Sequence, residues 1–353
     1  MPYCRKCGAK LDEGARFCRV CGTPVAAVTV ATRPTAPKRR RPFYILPVAI
    51  LIAVLLSAIV IGALFFLPFY PVDFNQTNQV PKADVDDLLV DFQADVAQVN
   101  IFFENLPGNM VMLNVTADGN VGILDDPNHA INVTFNQQTA NNSAIVIASV
   151  SRVTRWPLLY NLNVTCDVYI DSSANLSLYV RSGVGNIVMN ADTNVTLQNL
   201  NLETTTGSVD ASLSKGVIIR GIDSLKTTTG SVQFRMDKAD VSGNVSVNLQ
   251  STTGSVNVDL TENQKLSGNV TVYARTTTGG VNLSMVIDDD VGARIESHTV
   301  VGGINVDVQK FSGNQTFLQS DNYPAGSNFL VNLRTTTGGI NINAAYQSSA
   351  VLS

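Results

Sequence analysis

The sequence predicts a mainly β protein with a small cysteine-rich N-terminal module, one transmembrane α-helix and an extracytoplasmic parallel β-solenoid. Three observations carry this prediction. Four of the five cysteines lie within the first 21 residues, residues 42–72 contain no charged side chain, and a Thr-rich phrase recurs beyond residue 175. A β-sandwich or β-meander is the alternative architecture for the C-terminal part.

Composition excludes several classes of protein. The chain has 353 residues, of which 15% are charged and 45% hydrophobic, and its formal net charge is −4. Its length is enough for two or three domains. The few cysteines exclude a disulfide-stapled scaffold, and low charge with many apolar residues argues against wholesale disorder. The charge is unevenly divided, because residues 1–42 carry +8 and the remainder carries −12.

The N-terminal cysteines form two Cys-X-X-Cys-Gly knuckles, Cys4 to Gly8 and Cys18 to Gly22, separated by ten residues. Four thiolates suit tetrahedral Zn²⁺, and glycine after the second cysteine permits the positive φ that such a turn favours. Two disulfides are disfavoured on a reducing, cytosolic side of the membrane. A redox Cys-X-X-Cys pair would not need duplication.

Residues 3–24 resemble the short zinc ribbon found at the N-termini of many bacterial and archaeal membrane proteins. The resemblance rests on the two knuckles, the run Gly-Ala-Arg-Phe-Cys and the terminal Cys-Gly-Thr-Pro. It implies a closed structural Zn²⁺ site with Cys4, Cys7, Cys18 and Cys21 as its ligands. It also implies an adaptor module for a cytosolic protein partner.

The uncharged stretch predicts one membrane span. A helix from Pro47 to Leu67 would have 21 residues and a length of about 30 Å, the thickness of a hydrocarbon core. The basic cluster at residues 38–41 would keep the N-terminus cytoplasmic, so residues from 71 onward would face outward. A buried soluble helix or a signal peptide is the alternative for the span, and a nucleic-acid patch the alternative for the cluster. Topology explains the cluster, so no nucleic-acid partner is expected.

Potential glycosylation sites agree with this topology. Residues 1–74 contain no Asn, whereas the rest contains eleven Asn-X-Ser/Thr sequons, at Asn75, Asn114, Asn132, Asn141, Asn163, Asn175, Asn194, Asn244, Asn269, Asn282 and Asn314. Such sequons are glycosylated only on the exported side of a membrane. Strands that alternate Val with Asn and Thr also create sequons by composition, and about half of these are expected to be such accidents.

A phrase of the type Thr-Thr-Thr-Gly-Ser-Val recurs in the C-terminal part, in residues 202–213, 225–236, 249–260, 274–285 and 333–343. Two degenerate copies end at residues 189 and 308. The marker glycines are Gly185, Gly207, Gly230, Gly254, Gly279, Gly302 and Gly338, with spacings of 22, 23, 24, 25, 23 and 36 residues. A period in this range predicts stacked units that bury their apolar faces against their neighbours.

Alternation of side chains within a unit predicts strands. Val256, Val258 and Leu260 share one face, and the Gly pair that precedes them marks a corner. Thr227 and Thr229 have inward parity, so a short Thr side chain is expected inside each corner. The long interval before the last copy predicts an insertion, at residues 310–327, that bulges out as a loop.

The repeats resemble the putative-adhesin family of bacterial and archaeal envelope proteins, whose units carry a Thr/Ser-X-Ser/Thr-Gly-Asp/Ser-Val/Ile phrase. The resemblance covers about residues 175–343, and Ser or Gly replaces the usual Asp after the marker glycine. It implies an exported binding or scaffolding domain and transfers no catalytic residue. The predicted organisation is a ribbon (1–24), a basic linker (25–42), a span (43–70), a stalk with first strands (71–110), an irregular β region (111–175), the repeats (176–345) and a tail (346–353).

The outward side chains give little sign of catalysis. The column before each Thr phrase is mixed in charge, with Glu203, Lys226, Gln250, Arg275, His298 and Arg334. The column after each corner is Asp210, Gln233, Asn257, Asn282, Asn305 and Asn341, which is typical of a stabilising Asn ladder but could also bind glycan. Carboxylates cluster at residues 125–126 and 288–290, at turn-like positions, and Cys166 has the parity of a buried core thiol.

These patterns predict a single-pass cell-membrane protein with a cytosolic zinc ribbon and an exported domain used for adhesion, binding or scaffolding. No catalytic or organic-cofactor site is predicted, and the exported domain would meet an envelope glycan or protein. An envelope-stress sensor that signals through the helix is the alternative function. A polysaccharide-active enzyme is a more remote one.

Overall fold

A computed structural model describes residues 3–25, 45–65, 69–122, 125–153, 161–192 and 194–347, with helix side chains described for residues 47–59. The single α-helix of these ranges, α1, runs from Ile45 to Phe65. Within them, no helix combines the length and the apolar character that crossing a lipid bilayer requires. Of the span predicted at 43–70, residues 43–44 and 66–68 lie outside the described ranges, as does most of the predicted linker and the end of the tail. The chain divides into two compact units, residues 1–66 and 67–353.

The second unit is built almost entirely of β-strands. Its first nine strands are β1 (Phe69–Pro81), β2 (Asp87–Val96), β3 (Gln98–Glu104), β4 (Asn109–Gly122), β5 (Ile131–Ala140), β6 (Ser143–Arg152), β7 (Asn161–Asp171), β8 (Asn175–Val184) and β9 (Ile187–Ala191). A single 3-10 turn, Pro127–His129, precedes β5. The residues predicted as a stalk with first strands, 71–110, therefore contain strands that belong to the sheets.

The repeats supply the remaining strands. These are β10 (Thr196–Thr206), β11 (Val209–Ser214), β12 (Ile218–Ile219), β13 (Ile222–Thr229), β14 (Val232–Asp237), β15 (Asp240–Val241), β16 (Val245–Thr253), β17 (Val256–Glu262), β18 (Val270–Thr278), β19 (Val281–Ile287), β20 (Val291–Val301), β21 (Ile304–Gln309), β22 (Phe311–Asn314), β23 (Phe317–Ser320), β24 (Ser327–Thr337) and β25 (Ile340–Tyr346).

The strands form two sheets. The first sheet has the order β1-β4-β7-β3-β9-β11-β14-β17-β19-β25-β21, and the second has the order β22-β23-β20-β24-β18-β16-β13-β10-β8-β2-β6-β5. Pairing is parallel through the middle of both sheets and antiparallel at β1, β4 and β7, at β5 and β6, and at β20, β23 and β22. The predicted mainly β class is confirmed, but the two sheets are mixed, whereas the sequence predicts a parallel β-solenoid for residues 176–345.

Each repeat contributes one strand to each sheet. In the unit around Gly254, β16 lies in the second sheet and β17 in the first, and the chain turns between them at the glycine. Equivalent residues of neighbouring units pair in register, so that Val232, Val256 and Val281 stand side by side on three parallel strands. The repeat phrase thus marks a repeated strand–corner–strand unit.

The units do not stack in the order of the sequence. The last repeat, β24 and β25, lies between β18–β19 and β20–β21, so the degenerate copy around Gly302 takes the end position. At the other end, β2 and β3 lie between β6–β7 and β8–β9. At each end of the second unit, therefore, one pair of strands lies between strands that are distant from it in the chain.

The insertion before the last repeat is a β-hairpin, where the sequence predicts a bulging loop. Its strands β22 and β23 pair with each other, and β23 pairs antiparallel with β20. This hairpin continues the second sheet beyond the degenerate copy around Gly302, which gives the edge of β20 a hydrogen-bonding partner.

The core lies between the two sheets. Inward residues of successive units form apolar columns, as in β17, where Val256, Val258 and Leu260 are buried and the intervening residues are not. Phe92, Phe234 and Phe329 are the largest completely buried side chains. Burial on alternate residues is the reason that the period-two pattern could be seen in the sequence.

Candidate functional site

Two knuckles organise the N-terminal module. The amides of Gly8 and Gly22 donate hydrogen bonds of 2.9 and 2.8 Å to the carbonyl oxygens of Cys4 and Cys18, which closes each turn. Both glycines have positive φ, +68° and +67°, a conformation in which a Cβ is disfavoured. The glycine after each second cysteine therefore allows both sulfurs of a knuckle to face one point.

The four cysteines that the sequence predicts as ligands come together. All four Sγ atoms lie within 4.8 Å of one another, with 3.6 Å between Cys4 and Cys21 and 3.6 Å between Cys7 and Cys18. Four sulfurs about 2.3 Å from a central Zn²⁺ in a tetrahedron would be about 3.8 Å apart. The donor set and its spacing therefore fit a structural Zn²⁺. Among the described residues, no His or carboxylate joins the four cysteines as a further ligand.

Hydrogen bonds favour the thiolate form of Cys4 and Cys21. The amide of Ala9 lowers the pKa of Cys7, but the hydrogen bond with Cys21 and burial outweigh it and raise that pKa to about 12. The amide of Lys6 is the main cause that lowers the pKa of Cys4. The Thr23 hydroxyl, 3.1 Å from the Sγ of Cys21, together with the Thr23 amide, lowers the pKa of Cys21 to about 6. Because the thiolate is the form that binds a metal, these donors prepare the site for a cation.

The repeat corners hold a second, structural, motif. At the corner glycines φ lies between +136° and +149°, and a Cβ on any of them would overlap the carbonyl oxygen of the neighbouring unit's corner. Six inward hydroxyls donate hydrogen bonds of 2.8–3.0 Å to these carbonyls, those of Thr204, Thr227, Ser251, Thr276, Thr299 and Thr335. All of these residues are buried except Thr299, which is half-buried. The expected inward Thr is thus present, and it joins each unit to the next.

One parity prediction at the corner is wrong. Thr229, two residues after the inward Thr227, is exposed, as are its equivalents Thr206, Thr253, Thr278 and Thr337. The strand leaves its regular pleat as it approaches the positive-φ glycine, so the side-chain alternation stops one position earlier than a straight strand requires.

The outer face of the second sheet carries the mixed column. In the spatial order of the strands it reads Arg181, Glu203, Lys226, Gln250, Arg275, Arg334, His298. Glu203 lies between two cations and pairs with both, 3.8 Å from Arg181 and 2.8 Å from Lys226. The order of the last two members, reversed relative to the sequence, brings Arg334 beside Arg275.

The outer face of the first sheet carries the amide column. The Asn282 side chain donates to the Asn257 side chain at 2.7 Å, and Asn341 donates to Asn282 at 2.8 Å. These bonds form the stabilising ladder that the sequence predicts. A groove of about 480 Å³ runs beside the ladder.

Two of the carboxyl groups buried within the sheets, those of Asp223 and Glu262, have strongly raised pKa values. Burial raises the pKa of Asp223 to about 8, and the backbone of Leu200 is the one group that acts to lower it. Neither carboxylate oxygen has a hydrogen bond of good geometry to a described residue. Burial likewise raises the pKa of Glu262 to about 7, although one of its oxygens accepts from the amides of Asn263 and Gln264. The sequence did not single out either residue, and only their inward parity could have done so.

The sequence also singles out Cys166, eleven sequons and two acidic clusters. Cys166 is completely buried, as expected, and burial raises the pKa of its thiol to about 12. None of the eleven sequon asparagines is buried, so all of them lie on the surface or at its edge. The two acidic clusters lie outside the strands, at residues 125–126 and 288–290.

Comparison with known proteins identifies the N-terminal module. Residues 3–25 match the zinc-ribbon domain family, so this part of the chain is a zinc ribbon. The zinc ribbon and its four adjacent cysteines together support a structural Zn²⁺ as the cofactor of this module. No curated protein matches the chain.

Three solved structures resemble the chain at low identity, and all are described as adhesion proteins. A putative cell adhesion protein from Clostridium sporogenes is 13% identical, with 77% of this chain and 99% of that one covered and a TM-score of 0.40. A putative adhesin from Bacteroides fragilis is 11% identical, with 76% and 96% covered and a TM-score of 0.30. One from Parabacteroides distasonis is 11% identical, with 76% and 97% covered and a TM-score of 0.20.

Proposed function

We propose that this chain is a single-pass membrane protein of the cell envelope. In this proposal a cytosolic zinc ribbon binds an intracellular protein, and the exported repeats form a β-solenoid used for adhesion, binding or scaffolding. The observation that carries the proposal is the sequence of three chemically distinct parts along one chain: a four-cysteine module, an uncharged apolar stretch and a long array of polar-surfaced strands.

Membrane anchoring is supported by the chemistry of residues 42–72. No charged side chain occurs there, and the cluster at residues 38–41 directly precedes the stretch. The apolar side chains described in α1, among them Ile50, Val54 and Leu56, are exposed around the helix. A helix that is apolar on all sides is suited to lipid, because water would meet its apolar surface on every face.

The ligands of the proposed Zn²⁺ are Cys4, Cys7, Cys18 and Cys21. A closed four-thiolate site leaves no position for a substrate, so its role is to hold the ribbon together. The core of the ribbon contains little besides two of these cysteines and Leu11. Such a small core cannot stabilise the fold without the metal. The exposed Tyr3 and Phe17 flank the knuckles and are available to a protein partner.

Binding without catalysis is the function that we propose for the repeats. The two carboxyls with pKa values near neutrality, Asp223 and Glu262, are buried, so neither can reach a substrate. Solenoid stacking of in-register units gives long, regular columns of polar side chains on both outer faces. Such extended surfaces suit the recognition of extended ligands.

Topology and binding can be tested separately. Protease added to intact cells should remove the repeats and leave the ribbon protected, whereas cleavage of the repeats only after lysis would contradict the topology. Full-length protein in detergent micelles should co-sediment with isolated cell envelopes without degrading their polysaccharides. Absence of sedimentation would reject the binding function, and release of sugars would favour an enzyme.

A further inference from the structure

The outer face of the second sheet carries a cationic patch at its C-terminal end. This cationic patch consists of Arg275, Arg334 and His298, which lie at paired positions on three adjacent parallel strands. Neighbouring strands are about 4.8 Å apart, so the two guanidinium groups and the imidazole project side by side. All three side chains are exposed.

The cationic patch differs from the rest of its column in lacking acidic partners. Arg181 and Lys226 share Glu203, and Glu296, the acidic residue nearest to the patch in register, pairs with Arg294. Among the described residues, neither Arg275 nor Arg334 takes part in an ion pair. Adjacent like charges on neighbouring strands repel each other. An anion bound across them would relieve this repulsion.

The surroundings of the patch suit an extended ligand with hydroxyl groups. A groove of about 380 Å³ is lined by Arg334, by His298 and by Phe317 of the β22–β23 hairpin. Glu296 also lines it, and this carboxylate is paired with Arg294. Shallow grooves continue across Arg275 and Tyr273 as far as Gln250. From Gln250 to His298 these grooves together cross four strands, a distance of about 14 Å.

The side chains beside the cations are of two kinds. Tyr273, with 43% of its surface exposed, offers an aromatic face, and Asn332 stands next to it on the neighbouring strand. An aromatic ring packs against the apolar face of a sugar, and an amide exchanges hydrogen bonds with hydroxyl groups. The patch therefore combines charge, stacking and amide groups along an open groove.

We propose that the cationic patch binds a linear acidic polysaccharide with a carboxylate group on its sugar units. This inference rests on the proposed binding function of the repeats and names the chemical class of ligand. A chain with one charge per sugar suits the two adjacent guanidinium groups of the patch, which lie in a part of the chain, residues 43–353, whose net charge is −12. A nucleic acid or polyphosphate would carry more charge than this small patch could neutralise and would be repelled by its acidic surroundings.

The test uses full-length protein in mild-detergent micelles and polygalacturonate as the probe. Binding is measured by titration calorimetry at two salt concentrations, with dextran as the neutral polymer and polyphosphate and single-stranded DNA as the other polyanions. We expect binding of polygalacturonate that weakens with salt, little binding of dextran, and weaker binding of the two other polyanions. The double variant Arg275→Gln, Arg334→Gln should bind polygalacturonate at least about tenfold more weakly.

The matched control is the double variant Arg181→Gln, Lys226→Gln. It also removes two positive charges from this column, but these two charges are paired with Glu203. Its affinity should stay within about twofold of the unmodified protein. Equal losses in both variants, no loss in the patch variant, or tighter binding of dextran, DNA or polyphosphate would overturn the proposal. If the patch variant and the unmodified protein sediment equally with envelopes, only this inference fails; if neither sediments, the proposed function fails as well.

Discussion

The hydroxyl of Thr227 donates a 2.8 Å hydrogen bond to the carbonyl oxygen of Gly207, which is the corner residue of the neighbouring unit. The same bond recurs from unit to unit along the corner. It explains why the repeated phrase has a hydroxyl residue three positions before its glycine. The hydroxyl satisfies a carbonyl that turns away from the regular sheet at the corner.

Replacing Thr227 with Val should lower the stability of the second unit, residues 67–353. The substitution keeps the shape of the side chain but leaves the carbonyl of Gly207 without its hydroxyl donor, so we expect a loss of about 1–2 kcal/mol in the free energy of unfolding. Urea unfolding followed by circular dichroism measures the change. The control Thr228→Val, at an exposed position, should change stability by less than about 0.5 kcal/mol. Equal effects would show that the buried hydroxyl is not the cause.

Replacing Gly254 with Ala should disrupt the stack much more severely. The glycine has φ of +141°, and a Cβ would overlap the carbonyl oxygen of Gly230. We expect a loss of at least about 3 kcal/mol, measured by thermal or urea unfolding. Gly303→Ala is the matched control, because nothing lies within 4 Å of its added Cβ. A stable Gly254→Ala protein would contradict the close contact between corners.

The buried Asp223 should make stability depend on pH. Its pKa of about 8 in the folded protein lies above the unfolded value near 4, so folding favours the protonated form. Its contribution is fully present below about pH 4 and is lost as pH rises toward 8, at about 1.4 kcal/mol per pH unit. Comparing urea unfolding at pH 5 and pH 7 measures this slope.

Asp223→Asn should make the decline in stability from pH 5 to pH 7 less steep, because the amide does not titrate. Glu262, with its pKa also raised, should supply the part of the decline that remains. The control Asp237→Asn, at an exposed carboxylate, should leave the slope as it is. An unchanged slope in Asp223→Asn would show that this carboxyl is not protonated on folding.

Thiol reactivity should fall into two classes. Zinc-bound thiolates are protected, so a chelator should expose four cysteines to a chromogenic thiol reagent, with release of one zinc per chain. Cys166 should react only in denaturant, because it is buried and its pKa is raised to about 12. In the control Cys166→Ser the denaturant-dependent thiol should disappear. Release of five thiols by the chelator alone would contradict these assignments.

Sequence reasoning succeeded wherever a local pattern has one structural solution. The two Cys-X-X-Cys-Gly knuckles predict the four clustered sulfurs, because a tight turn with a positive-φ glycine leaves few ways to place them. Alternation in residues 256–260 predicts a strand with one buried face. In both features, the residues that determine the structure lie close together in the chain.

The same reasoning failed wherever distant segments compete for one position. The phrase around Gly338 does not show whether its unit stacks outside the unit of Gly302 or between the units of Gly279 and Gly302. Each unit offers its neighbours nearly the same apolar columns and the same corner. The unit made of β2 and β3 escaped notice for a related reason: its corner is Ala97, whose carbonyl accepts a 3.1 Å bond from Ser182, and the marker glycine is missing.

The sequence by itself thus determined the zinc ribbon, the strand–corner–strand unit and the inward hydroxyl, since each follows from steric and hydrogen-bonding rules that act over a few residues. Only the tertiary structure decided the order of the units and the strands that close each end. That order brings Arg334 between Arg275 and His298, and it leaves the two arginines side by side without an acid between them. Pairing between distant strands is selected by the total burial and hydrogen bonding of the whole stack, which no local pattern contains.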